Sequence, residues 1–222
     1  MVDAAAGTHR AVPVSAVSVV ESTGDRLGCL AGRGDLRRRH RRRWARLIKD
    51  ADVVLVDGHH PLIARDAARH AAARAVALVV DAGRWKPVMT DIIPHATDMV
   101  CSNDFRVPGA DGPDSHRRGV GARRCPHSLS PRTAASPVRW WSDGRSGSVP
   151  VPRVTVLDTL GAGDAFHGAY SYYLAQSASG ITERIDRSAR VAALRCSIVG
   201  PRAWLDQLPG DLYTAQTRKR EW

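Results

Sequence analysis

The chain has 222 residues, 43% of them hydrophobic, and a formal net charge of +11. That length allows one sizeable domain with its own core, or two small ones. Four scattered cysteines (Cys29, Cys101, Cys125, Cys196) lack metal or redox-pair spacing, no apolar run reaches the length of a membrane span, and no signal-peptide core opens the chain. A soluble, cytoplasmic protein with reduced thiols is therefore expected. The positive charge would suit a polyanion partner, but arginine is concentrated in two tracts while the rest is near balance.

Residues 1–13 are expected to be irregular, and Val14–Val20 is an alternating, β-branched strand candidate closed by the turn Ser22-Thr23-Gly24-Asp25. Residues 28–46 break the pattern, with Arg33, Arg37, Arg38, Arg39, Arg41, Arg42, Arg43 and Arg46 and little apolar period. Such a tract can be an arm for nucleic acid or an anionic surface. Without interleaved aromatics or a folded motif it reads as a solvated, irregular or disordered loop, and nucleic acid is not the expected partner.

Order returns at Asp52–Asp57, a buried-strand run. Pro61–Arg74 reads as an Ala-rich amphipathic helix and Val76–Val80 as the next strand, closed by Asp81-Ala82-Gly83. Strand, helix and strand with short links make a βαβ unit, hence a parallel sheet covered by helices. His59 and His60 are adjacent, point in different directions and have no evident third ligand. They read as a loop at the carboxyl end of a strand, which is where ligands bind in open α/β sheets. Pro87–Pro94 can form a short helix and Asp98–Cys101 a short strand. Residues 109–136 (Arg, Gly, Pro, His and Ser without period) are expected to be irregular or disordered. One reading covers both anomalous tracts: locally out-of-frame stretches, with in-frame sequence resuming near Asp50 and Pro137. Val138–Trp141 and the turn Asp143-Gly144 then predict a hairpin, with one of Trp140 and Trp141 packed and the other partly exposed.

The most informative stretch is Asp158-Thr159-Leu160-Gly161-Ala162-Gly163-Asp164-Ala165-Phe166. It follows the extended, β-branched run Val149–Leu157, expected as a strand, and leads into a helix over Ala165–Ala175. Strand, small-residue turn and helix make an anion site, because glycine lets the backbone approach a phosphate and the first helical turn leaves N–H groups unpaired. Asp164 sits among those donors at the positive end of the helix dipole, placed to take a proton from an alcohol attacking the phosphate. A second helix is expected over Thr182–Val199, stopped by Gly200-Pro201.

The nine-residue string resembles the C-terminal signature of the ribokinase-like (PfkB-type) carbohydrate kinases, Asp-Thr-x-Gly-Ala-Gly-Asp-x-Phe, at every fixed position. The resemblance implies a single, three-layer α/β/α domain over residues 1–222 with a mainly parallel sheet. It implies ATP-dependent phosphorylation of a sugar hydroxyl, with magnesium and a monovalent cation such as K⁺ as further cofactors. Asp164 matches the catalytic base, and Gly161, Ala162 and Gly163 match the anion hole. Thr159 falls near the nucleotide and Asp158 near the monovalent cation, while Ala193, Cys196 and Gly200 match the wall of the adenine pocket. The resemblance covers Val14–Gly28, Asp50–Pro108 and Pro137–Pro209. It also implies N-terminal truncation, since the lid and most sugar-binding groups come earlier in the family, and leaves room for another chain that supplies them and, separately, for a homo-oligomer.

Two departures stand against full activity. Ser102-Asn103-Asp104-Phe105 lies where the family often has Asn-x-x-Glu, with neither end residue matching, and residues 109–136 lack the usual helix and strand. Three readings compete: a working sugar kinase, a catalytically inactive nucleotide-binding remnant, and a basic nucleic-acid-binding protein.

Overall fold

Main-chain pairing divides the strands of the computed structural model, which describes residues 14–19, 26–31, 48–102, 104–109, 127–131, 136–176, 179–208 and 210, into two sheets. The smaller is an antiparallel hairpin of β1 (Val14–Val19) and β2 (Arg26–Ala31), with Val14 opposite Ala31 and Val19 opposite Arg26. β2 corrects the expectation that residues 28–46 are irregular throughout. A partner strand supplies a hydrogen-bonding edge that needs no side-chain period. Residues 1–13 and 32–46 lie outside the described residues.

The larger sheet begins with β3 (Val53–Val56), the helix α1 (Pro61–Ala73) and β4 (Ala77–Ala82), the βαβ unit expected from the sequence. Pro61 opens α1, where a missing N–H costs nothing. Ala64, Ala67, Ala68 and Ala71 then recur at helical spacing and form its buried face. Strict alternation along β4 sends Leu78, Val80 and Ala82 into the core under α1 and Val79 into the core on the opposite face. A short helix α2 (Met89–Ile92), a 3₁₀ turn (Ile93–His95) and β5 (Asp98–Cys101) follow, as the sequence predicts.

β6 (His127–Pro131) is a second correction, because it lies inside residues 109–136. It pairs parallel with β5 and antiparallel with β7 (Val138–Ser142). Two ladders flanking His-Ser-Leu-Ser-Pro make it a strand through the main chain, without an apolar pattern of its own. β7 and β8 (Arg145–Val149) form the expected hairpin through Asp143 and Gly144, both with positive φ (48° and 76°). This is the primed turn that suits strand twist. Trp140 is buried and Trp141 is half-buried under the Arg139 guanidinium, 4.8 Å from the ring centroid. Gly147 faces the Trp140 ring so closely that a Cβ there would lie 2.9 Å from it. The order β3-β4-β5-β6-β7-β8 is thus parallel through β6 and antiparallel after it.

Helices α3 (Ala162–Ala175) and α4 (Ile181–Cys196) cover the second face and pack on each other. Phe166, Tyr170, Ile185 and Ala189 join Val79, Val100, Val138, Trp140 and Val149 in its core. The result is the expected three-layer α/β/α arrangement. At the centre of this layer the buried Tyr170 hydroxyl donates to Asp98 Oδ1 at 2.8 Å. Tyr170→Phe is expected to cost about 1.5–3 kcal/mol, since the lost bond is made to a carboxylate. Urea unfolding should show a lower midpoint at an unchanged m-value.

Three boundaries differ from expectation. Residues 150–157 join no ladder among the described residues, because Pro150 and Pro152 remove donors. Val154, Val156 and Leu157 are exposed there. α3 starts at Ala162 rather than Ala165, with Gly161 as its N-cap in the left-handed region (φ 75°, ψ 8°). α4 ends at Cys196, leaving Val199 67% exposed beyond it. The Cys196 carbonyl, which would accept the next helical N–H, instead takes those of Leu157 (2.8 Å) and Asp158 (3.1 Å).

Candidate active site

Those two bonds tether the loop before α3 to the end of α4, and an ion pair reinforces them. Arg195 Nη2 donates to Asp158 Oδ2 at 2.7 Å and its Nη1 to the Ile198 carbonyl at 3.1 Å, with only 3% of the side chain exposed. Asp158 Oδ1 accepts the Leu160 N–H at 2.8 Å. The hydrogen bond from Arg195, followed by that from Leu160, holds the Asp158 carboxyl below its ordinary value of 3.8. The cation beside Asp158 in this structure is therefore a guanidinium. Among the described residues no group of three or more His, Cys, Asp or Glu could hold a metal ion.

The turn fixed in this way enters α3. Gly161 takes a conformation that costs other residues about 1–2 kcal/mol. The Ala162 N–H is used by the Thr159 carbonyl at 3.3 Å and the Ala165 N–H by that of Gly161 at 2.9 Å. The N–H groups of Gly163 and Asp164 have no partner among the described residues. These two are the free donors of the first turn, so of the expected anion-hole residues Gly161 shapes the turn, Ala162 spends its donor internally and Gly163 offers one. Asp164 is exposed in the same turn, alongside the donors, as its sequence position predicts.

A cleft of about 680 Å³ opens beside this turn. Leu160, Gly161 and Asp164 form one end, with Ala165, Gly168, Ala169 and Tyr172 of α3 and Val191 and Arg195 of α4 as walls. Pro201, Trp204 and Leu208 close it. Ala193, Cys196 and Gly200, expected as the adenine wall, are not among the lining residues; Ala193 and Cys196 are buried. The helical phase of α4 turns Val191 and Arg195, four apart, towards the cleft.

On the other side of the turn lie the carboxyl ends of β3 and β4. Asp57 Oδ1 accepts the His59 N–H at 2.9 Å, and Lys86 Nζ donates to the Asp57 carbonyl at 2.8 Å. His59 and His60 sit in the expected loop, with His60 as N-cap of α1. Ser102 Oγ donates to the Gly83 carbonyl and accepts the Asp104 N–H at 3.1 Å, joining the loops after β4 and β5. Phe105, in the place where a carboxylate was sought, is fully buried against Trp85.

Two residues that sequence reasoning gave no role stand out. His167 is buried, with Nδ1 2.6 Å from the Gly163 carbonyl and Nε2 3.5 Å from Asp81 Oδ1. Burial pushes the Asp81 carboxyl above its ordinary range. His167 opposes that shift, Asp57 adds to it, Lys86 opposes it and Asp164 adds to it. The signal for His167 was its place four residues after Gly163, one helical turn on. A raised folded-state value means that the folded chain binds this proton more tightly than the unfolded chain. Stability is therefore lost as pH rises from the ordinary value of 3.8 through the raised one. Asp81→Asn is expected to remove that fall and to leave Tm at pH 7 no lower than in the wild type, as read by scanning calorimetry.

With this geometry in view, residues 133–207 match the family described as pfkB family carbohydrate kinase. Over that third of the chain, the sequence is similar to the pfkB family. The matched segment holds the whole of α3, α4 and the turn between β8 and α3. Solved structures extend the likeness to the fold of nearly the whole chain. An Arabidopsis thaliana ribokinase complexed with ribose and ATP is 13% identical, with TM-score 0.72 over 94% of this chain and 69% of that one. An Agrobacterium tumefaciens protein assigned as a ribokinase is 22% identical, with TM-score 0.71 over 94% and 68%. A Xylella fastidiosa fructokinase with bound ATP is 20% identical, with TM-score 0.69 over 88% and 70%. At these identities the likeness is one of fold, and the chain has the ribokinase-like α/β fold. No described helix is long and apolar enough to cross a membrane.

Proposed function

We propose that this chain binds ATP in the cleft between α3 and α4 and transfers its γ-phosphoryl group to a hydroxyl of a small sugar, with Asp164 as general base. The observation that carries the reading is the first turn of α3. Two unpartnered N–H groups, of Gly163 and Asp164, stand beside an exposed carboxylate at the mouth of a cleft of about 680 Å³. The residues present fit a nucleoside triphosphate: main-chain donors and a helix N-terminus for the phosphates, and Tyr172, Val191, Pro201 and Trp204 as a largely apolar wall for the base.

ATP, when bound, supplies the electrophilic phosphoryl group, and Mg²⁺ would arrive with its phosphates. The chain's own contribution is local. Gly161 lets the backbone approach the phosphates, and the Gly163 and Asp164 N–H groups offset charge that develops on the phosphoryl oxygens. Asp164 accepts the proton of the attacking hydroxyl. Asp158 stays ionised, held by Arg195 and the Leu160 N–H, and keeps the turn in place.

The test is ADP release by purified protein with a panel of monosaccharides and nucleosides, beside the change in Tm on adding ATP. Release that depends on one sugar class supports the reading and names the acceptor. The burial of Phe105, where a carboxylate would help organise the phosphates, favours the inactive nucleotide-binding remnant as a second reading. ATP raising Tm without any release would establish that second reading.

A further inference from the structure

The first turn of α3 has little of its own to hold it in one shape. Two of its entering residues are glycines, Gly161 and Gly163, and the N-cap makes no side-chain hydrogen bond. The Arg195–Asp158 pair and the Cys196 carbonyl hold the loop that leads into the turn, and the Gly163–Asp164 peptide beyond them takes a further tether. His167 is the group in position to provide one. It is 8% exposed, and its Nδ1 lies 2.6 Å from the Gly163 carbonyl. A carbonyl only accepts, so this contact requires the proton on Nδ1. The buried Nε2 has no hydrogen-bond partner among the described residues and faces Asp81 Oδ1 at 3.5 Å.

We infer that His167 is a positioning residue: with Nδ1 on the Gly163 carbonyl and Nε2 facing Asp81, it turns the Asp164 N–H into the phosphate cradle. The link is the peptide between Gly163 and Asp164. It is planar and trans, so its C=O and N–H point in opposite directions, and fixing the oxygen fixes the hydrogen. That oxygen is held by Nδ1–H, and that hydrogen is one of the two free donors. Asp81, at the end of β4, faces Nε2 at 3.5 Å; a proton between the two, on either atom, anchors the imidazole to the sheet, so that the cradle inherits the rigidity of the strand rather than the softness of a glycine turn. The charges around the pair are Asp57 after β3, Lys86 after β4 and Asp164 on α3 itself. The arrangement follows the pattern in which an outer partner fixes the group that meets the ligand.

This inference rests on the nucleotide-binding reading, and its test separates the two. Calorimetric titration of the full chain with ATP and, separately, with adenosine is run on wild type, His167→Ala, His167→Asn and Asp81→Asn. His167→Ala is expected to weaken ATP binding about 3–10-fold, the worth of one lost hydrogen bond, and to leave adenosine binding unchanged. His167→Asn keeps a donor near the Nδ1 position and should recover most of the ATP affinity. Asp81→Asn should weaken ATP binding while Tm at pH 7 does not fall, which a merely structural carboxylate would not do. If His167→Ala fails to fold, the Asn variants carry the test. Equal ATP affinity in wild type and variants would overturn the inference and leave the reading standing. Parallel losses for ATP and adenosine would reduce His167 to a packing role and also overturn it. A wild type that binds no ATP would remove the reading and the inference together.

Discussion

Asp164→Asn is expected to lower sugar-dependent ADP release by about 10²–10⁴-fold, the usual worth of a positioned general base, while ATP still raises Tm. The substitution keeps shape and volume and removes only the ability to take a proton. Asp164 is exposed and its side chain makes no hydrogen bond among the described residues that an amide would break, so α3 should keep its first turn. Its N–H, which belongs to the cradle, is untouched. Rate and binding should therefore separate: kcat falls, and the ATP-induced rise in Tm persists or grows as a carboxylate is removed from beside the phosphates. A variant that kept its rate within a few-fold would show that another group takes the proton, and Asp81 would be the next residue to replace.

How much of this was legible in the sequence depends on where each signal lives. The face of α1 and the strand β4 could be read directly, because alanine at helical spacing and the unbroken apolar run of Leu78, Val79 and Val80 are local patterns that packing obeys. The turn into α3 was legible for a different reason: a string of fixed residues specifies close backbone approach. β6 was not legible, since His127–Pro131 owes its strand to β5 and β7. The run after Val149 misled, because β-branched residues suggest a strand while Pro150 and Pro152 deny it a ladder. His167 and Arg195 were missed for one common cause. Each acts through a partner distant in sequence, Asp81 on β4 and Asp158 before α3, and neither pairing leaves a trace in local spacing. Helical phase decides which residues of α4 line the cleft: Val191 and Arg195 face it, while Ala193 and Cys196 are buried away from its lining.

Arg195→Met should lower Tm by about 5–10 °C for a chain of this size and change the way stability depends on pH. Methionine replaces much of the apolar stem and none of the fork. The Ile198 carbonyl loses its donor, and Asp158 loses its cation and keeps the main-chain donors of Leu160 and Gly200. The sign of the pH effect follows from Asp158, whose folded-state value is held low, first by the Arg195 hydrogen bond. A depressed carboxyl contributes stability that is present above its unfolded value, near 3.8, and lost as pH falls through the lower folded one. Wild type should therefore lose Tm steeply on acidification below about pH 4, whereas Arg195→Met starts lower and falls less. Arg195→Lys should not rescue it, because one ammonium cannot serve Asp158 and the Ile198 carbonyl with the geometry of a planar fork. The same joint fixes Leu160 and Gly161 at the end of the cleft, so ATP affinity should fall with Tm in both variants. Parallel pH curves for wild type and Arg195→Met would mean that the pair is a surface contact without energetic weight. The tether of the phosphate turn would then rest on the Cys196 carbonyl and on His167 alone.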